Sequence, residues 1–297
     1  MHEALQPLRE VRALRDPVLL AAFTGFTDAT GGAVAAVRYF AEHWGATPLA
    51  TIDPERFYDF TVQRPRVRLE QGERVLDWPE NVFAVASPAG ADRDFLLFTG
   101  VEPHLRWRSF VAAVEDLLRA TGCTTSVTLG AQPAAVPHTR PLPVTLSASH
   151  PEFETTFGLQ APASRYQGPT GIVGVLNLHL RSLGWKNASL WAMVPHYLTI
   201  GPNPNVAISL ARHLDHGFGT HIPLAGLEEE ARAFEQQVQE VLEDSSDAAA
   251  YIRQLEEQYD ANRPQLPPAP AEGGLPPTPD LLNDLEQFLR DQRGSTE

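Results

Sequence analysis

Along the chain, short apolar runs alternate with stretches in which apolar residues recur every three or four positions. Val18–Thr24 is an uncharged apolar run and predicts a buried strand. It ends at the turn Thr24-Gly25-Phe26-Thr27-Asp28. Ala33, Val37 and Phe40 then space out a helix over Ala29–His43 that Gly45 stops. Further strands are predicted at Thr47–Ile52, Asn81–Ser87, Phe95–Thr99, Cys123–Leu129, Val144–Ser147 and Ala188–Val194. Val67–Trp78 reads as a hairpin turning at Gln71-Gly72-Glu73. Arg106–Thr121 is a predicted helix with Phe110, Val111, Val114, Leu117 and Leu118 inward, closed by Gly122. Thr170–Leu183 and Asn205–His216 complete the helices of this part.

Strands that alternate with helices require crossover connections, and so a mostly parallel sheet covered on both faces. Residues 1–225 are therefore expected to form one three-layer α/β/α core. The pattern then changes. Gly226–Glu243 puts Leu227, Ala231, Phe234, Val238 and Val241 on one stripe, and Asp247–Asp260 continues with Ile252, Leu255 and Tyr259. This predicts an acidic helical hairpin over 226–262. Residues 263–279 are Pro-rich and without periodicity, a stiff linker. Residues 280–293 read as an amphipathic helix with the apolar stripe Leu281, Leu282, Leu285, Phe288 and Leu289, a candidate surface for a protein partner.

Composition narrows the function classes. The 297 residues are 43% hydrophobic and 20% charged, ordinary for a globular chain, and no run is long enough for a membrane span. The N-terminus lacks a basic stretch followed by an apolar one, and Cys123 is the only cysteine, so a cytoplasmic protein without disulfides is expected. The net charge of −14 is uneven: residues 1–225 hold 20 acids and 18 bases, residues 226–297 hold 17 and 5. An acidic tail and no basic stripe argue against nucleic-acid binding.

Candidate chemistry lies in loops, since ligands on open α/β sheets bind beyond the carboxyl ends of strands. Asp28, Glu102, Arg106, Trp107, His138, Arg140 and His196 all fall in segments that follow predicted strands. Thr170 and Gly171 open a helix, where free N–H groups favour an anion. Together they could hold a phosphate or carboxylate between Arg106 and Arg140, although capping helices and bracing loops is the commoner use of such residues. Nucleophile-elbow and phosphate-loop motifs are absent from the sequence. Thr30, Gly31 and Gly32 suit close helix–strand packing. His213, His216 and His221 lack a paired carboxylate, so no metal is expected, and no cofactor either. Cys123 reads as a small core residue rather than a nucleophile.

The order of several segments resembles the PAC2 (proteasome assembly chaperone 2) family. They are Leu20–Gly32 with its Gly-x-x-Asp-Ala turn, Glu102-Pro103-His104-Leu105-Arg106-Trp107, Pro137–Val144, Gly168–Leu176 and Ser189–Tyr197. The last four are similar to its bacterial branch, and the acidic extension to an actinobacterial type. The resemblance implies a core like that of purine nucleoside phosphorylase and a homo-oligomer, trimer or dimer. It implies a binding or assembly-chaperone role before an enzymatic one; the alternative is an enzyme or sensor that uses the loops for an anionic or nucleotide-like ligand. Some relatives dock on a proteasome through a penultimate tyrosine. Gly294-Ser295-Thr296-Glu297 has none, so docking by that tail is not expected.

Overall fold

The computed structural model describes residues 1–198, 201–242 and 246–261. The strands are β1 (Leu5–Pro7), β2 (Val18–Thr24), β3 (Thr47–Ile52), β4 (Arg66–Glu70), β5 (Glu73–Asp77), β6 (Asn81–Ala86), β7 (Phe95–Val101), β8 (Thr125–Ala134), β9 (Val144–Ala148) and β10 (Lys186–Pro195). The helices are α1 (Gly32–His43), α2 (Trp107–Thr121), α3 (Glu152–Phe157), α4 (Ile172–Ser182), α5 (Pro204–Phe218), α6 (Ala225–Leu242) and α7 (Ser246–Ala261).

Eight strands form one sheet in the order β1-β3-β6-β7-β2-β8-β10-β9. β7, β2, β8 and β10 run parallel at its centre. β3 points the same way, while β1, β6 and β9 pair antiparallel to their neighbours. The sheet is thus mostly parallel by strand direction, with antiparallel strands grafted on both flanks.

Side-chain alternation along the strands sorts the core into two halves. Leu20 and Leu97 face α1 and α5, in a cluster with Val37, Phe40, Leu210 and Leu214. Leu19 and Phe98 face the other way, toward Phe110, Leu117, Ile172 and Leu176 of α2 and α4. These are the three layers that the periodicity predicts. Gly32 has a different use from the one expected. A Cβ there would lie 2.5 Å from Val206, so the missing side chain lets α1 approach α5 rather than a strand.

Two strands or α-helices lie outside the predicted set, β1 and α3. Three and six residues are too few to set a period. β8 begins at Thr125, two residues after Cys123, which itself is buried. The hairpin β4–β5 stands apart as a two-stranded arm. α6 and α7 meet over Tyr197 and Leu198 in a third, small cluster with Val238, Ala248, Ile252 and Leu255. The predicted linker and the stripe from Leu281 to Leu289 lie outside the described residues. Among the described residues no helix is long and apolar enough to cross a membrane.

Candidate functional site

Because β2, β7, β8 and β10 are parallel, the loops that follow them share the carboxyl edge of the sheet. Four of the predicted site segments therefore come to one edge, but not to one point.

The first group forms around Glu102. Its carboxylate accepts the N–H of Ile172 at the start of α4 (2.7 Å) and that of Phe26 in the loop after β2 (3.2 Å). The helix N-terminus expected to attract an anion thus holds the chain's own carboxylate. Gly171 is required here, since a Cβ would lie 2.4 Å from Thr27 Cγ2 and 2.8 Å from Glu102 Oε1. Thr170 is exposed. Trp107 donates its indole N–H to the Pro103 carbonyl at 2.6 Å, which braces the same loop. Arg106 is exposed and sits at φ 54°, in the left-handed region.

Asp28 is buried at the start of α1. It accepts the N–H groups of Ala33 (3.1 Å) and Val34 (3.0 Å). Burial pushes its carboxyl above the usual aspartate range, and the backbone donors only partly offset that.

The second group lies under α7. Arg140 meets Asp260 with both arms of its guanidinium, at 3.0 and 2.8 Å, and Glu256 at 3.3 Å. Those carboxylates hold it above the usual arginine range. Thr139 donates to Glu256, and the Tyr259 hydroxyl donates to the Pro141 carbonyl at 2.8 Å. His138 pairs with Tyr197, and His196 with Tyr251. Arg106 and Arg140, expected to share an anion, belong to different groups. Tyr197, Tyr251, Glu256, Tyr259 and Asp260 are the residues that sequence reasoning missed. Of the four on α7, Glu256, Tyr259 and Asp260 stand at i, i+3 and i+4, a local signal of a shared face; Tyr251 lies outside that spacing.

Two further features occupy the same edge. The arm β4–β5 is inserted between β3, which ends there, and β6, which begins there. Its register places Val67 opposite Leu76, with Leu69 on the same face. These three are 62%, 53% and 73% exposed. Between α1 and α6 runs an open groove of about 580 Å³, lined by Thr30, Val34, Arg38, Tyr39, Leu227 and Glu230. The Thr30 hydroxyl is buried without a hydrogen-bond partner.

The PAC2 family pattern matches residues 22–242, from β2 to the end of α6. The chain belongs to the PAC2 family. A PAC2 family protein from Streptomyces avermitilis is 38% identical, with a TM-score of 0.72 over 80% of this chain and 99% of that one. A Mycobacterium tuberculosis proteasome-assembly chaperone homologue is also 38% identical, with a TM-score of 0.70 over 79% and 99%. An archaeal proteasome activator from Pyrococcus furiosus shares the fold at 16% identity, with a TM-score of 0.65 over 80% and 97%. No curated protein matches the chain. The PAC2 match covers the first group, the loop residues of the second and the arm, and it stops before α7 with its share of the second group.

Proposed function

We propose that this PAC2 protein is a non-enzymatic, self-associating protein of assembly-chaperone type, with the arm β4–β5 as the contact between copies. The observation that carries the reading is the exposure of Val67, Leu69 and Leu76 together on one face of the arm, beside Arg74. A two-stranded hairpin is marginal alone in water, so this one gains stability by meeting a partner. Its charges balance, Arg66, Arg68 and Arg74 against Glu70, Glu73 and Asp77, which suits a surface that meets its own kind. Asp28, Glu102, His138, Arg140 and His196 are each engaged within the chain, which supports a structural use of groups that a catalyst would leave available. The printed names of its relatives, a proteasome-assembly chaperone homologue and a proteasome activator, favour the assembly role. Light scattering at micromolar concentration tests it. Two or three copies are expected, and a monomer would count against the reading.

A second reading is favoured by the groove between α1 and α6 and by the exposed Arg106: binding of a small anionic or nucleotide-like ligand at the carboxyl edge. A ligand at 100-fold excess over its Kd adds about 2.7 kcal/mol, readily seen in a melt. Arg106→Ala should abolish any stabilisation by phosphate or nucleotides if the loop holds them, and Arg38→Ala should do so if the groove does. A flat melt with both would remove this reading.

A further inference from the structure

Around Glu102 the carboxyl edge of the sheet is apolar and positively charged at once. Phe26 is 68% exposed, Leu105 51% and Tyr166 67%. The three segments that carry them are each tied down. Glu102 holds the Phe26 N–H, and a Cβ on Gly171 would lie 3.3 Å from the Phe26 ring, so that ring stands beside the start of α4. The Leu105 N–H goes to the Phe57 carbonyl at 3.0 Å. The Tyr166 hydroxyl donates to the Pro169 carbonyl at 2.7 Å, two residues before Gly171. Beside Leu105 and Tyr166 in the chain are Arg106 and Arg165, both exposed and without an ion pair among the described residues. Residues 25–31, 102–106 and 160–171 hold two acids, Asp28 and Glu102, and both are spent on backbone N–H groups.

We propose that residues 280–293 of this same chain cover that patch: the stripe from Leu281 to Leu289 seats on Phe26, Leu105 and Tyr166, and Asp284 and Glu286 meet Arg106 and Arg165. The segment lies outside the described residues, so its sequence and its point of departure carry the match. On a helical wheel Asp284 and Glu286 border the stripe on its two sides. A helix of that length is marginal alone in water, so the stripe needs cover. The chain departs from the right edge: at the end of α7, Tyr259 is bonded to Pro141 and Asp260 to Arg140, in the loop after β8. The loop after β7 is two strands away, and neighbouring strands lie about 5 Å apart. Residues 262–279, at about 3 Å each for a Pro-rich stretch, can span about 55 Å, so reach does not limit the contact.

Charge chooses this seat over the other two apolar surfaces of the edge. The groove between α1 and α6 sets Glu42 and Glu230 against Arg38, so it repels an acidic helix. The arm balances three acids against three bases and offers no net attraction. Only the patch around Glu102 leaves cations free beside exposed apolar side chains, the complement of an apolar stripe bordered by acids. The cover neither needs nor excludes association of copies through the arm.

Hydroxyl-radical footprinting of the full chain, read by mass spectrometry, tests the proposal. Phe26, Leu105 and Tyr166 should be oxidised several-fold more slowly than in a chain that lacks residues 263–297, while Leu69 and Leu76 of the arm and Tyr39 of the groove react alike in both. Equal rates at Phe26 and Tyr166 overturn the proposal, and so does protection that falls on the arm or the groove instead. Should the shortened chain not fold, the full chain with Leu285→Asp and Phe288→Asp takes its place as the uncovered form. Arg106→Glu with Arg165→Glu should uncover the patch in the full chain, and adding Asp284→Arg with Glu286→Arg should cover it again. A patch that stays covered after the first pair, or bare after the second, overturns the charge pairing. Protection should be the same at nanomolar and micromolar concentration. Protection that fades on dilution would give the stripe to a neighbouring copy and overturn the assignment to the same chain. Whether the protein is a monomer is read separately, by light scattering, so failure of the self-association reading leaves this result standing.

Discussion

A single carboxylate, Glu102, ties three segments together: its own loop, the turn at Phe26 and the start of α4. Glu102→Ala should cost about 1 kcal/mol, the usual worth of a helix cap. Glu102→Gln should cost less, because its amide oxygen can still accept the Ile172 N–H, while the Phe26 N–H loses its partner; thermal melts compare the two. Gly171→Ala should be worse than either, by about 1–3 kcal/mol, since the added methyl meets Thr27 and Glu102 at less than contact distance. Cys123 offers a test of a different kind. It is 1% exposed, and burial pushes its thiol up to about 12. It should stay unmodified by a thiol reagent in the native protein and react at the rate of unfolding; fast labelling at neutral pH would place it in a mobile region. The sequence singled out Glu102, Asp28 and Cys123 by type and position. It did not reveal what Glu102 binds, because the N–H of Ile172 comes from 70 residues away and leaves no local trace.

Among the elements, the arm and α7 carry the tests. Leu69→Asp with Leu76→Asp should shift the assembly toward monomer in light scattering and leave the melting temperature of the isolated subunit unchanged. An unchanged mass would exclude the arm as the contact. Arg140→Ala should loosen α7, read as faster proteolysis within 246–261, while β8 and β10 stay protected. The long central elements were legible because each is bounded by turn residues and buried on a fixed period; β2 and β3 match their predicted limits. The hairpin turn at Gln71-Gly72 was legible for a local reason too: both residues sit at positive φ. The antiparallel flanks were not legible, since strand direction is set by partners far along the chain. Nor was the placement of α7 over the loops, which depends on contacts such as Arg140 with Asp260, 120 residues apart.

At the scale of the whole molecule, two large cores carry the sheet; α6 joins one of them through Leu227 and Ala231, and the small cluster holds α7 against α6. Local opening should follow that division, with α7 exchanging before α6, and both before β2, β7 or β8. Deleting residues 263–297 separates two uses of the stripe from Leu281 to Leu289. A lower melting temperature or a weaker oligomer would mean that it docks within the assembly, which we favour because such a stripe seldom stays exposed. Unchanged stability with the loss of one band in a pull-down would assign it to another protein. If neither changes, both uses are wrong.

The order of the elements along the chain has a consequence for synthesis. β10 is the last strand of the sheet and ends at Pro195, so every strand emerges from the ribosome before α6, which begins at Ala225. The nascent chain can close the core under α2 and α4, and all of the other but the part that Leu227 and Ala231 of α6 fill, while the carboxyl edge is still bare. For that interval Arg140 lacks its carboxylates on α7, and His196 lacks Tyr251. A ribosome-bound chain arrested once α5, but not α6, has cleared the exit tunnel should therefore already carry a protease-resistant sheet, with the loops after β8 and β10 open to cleavage until the two helices arrive.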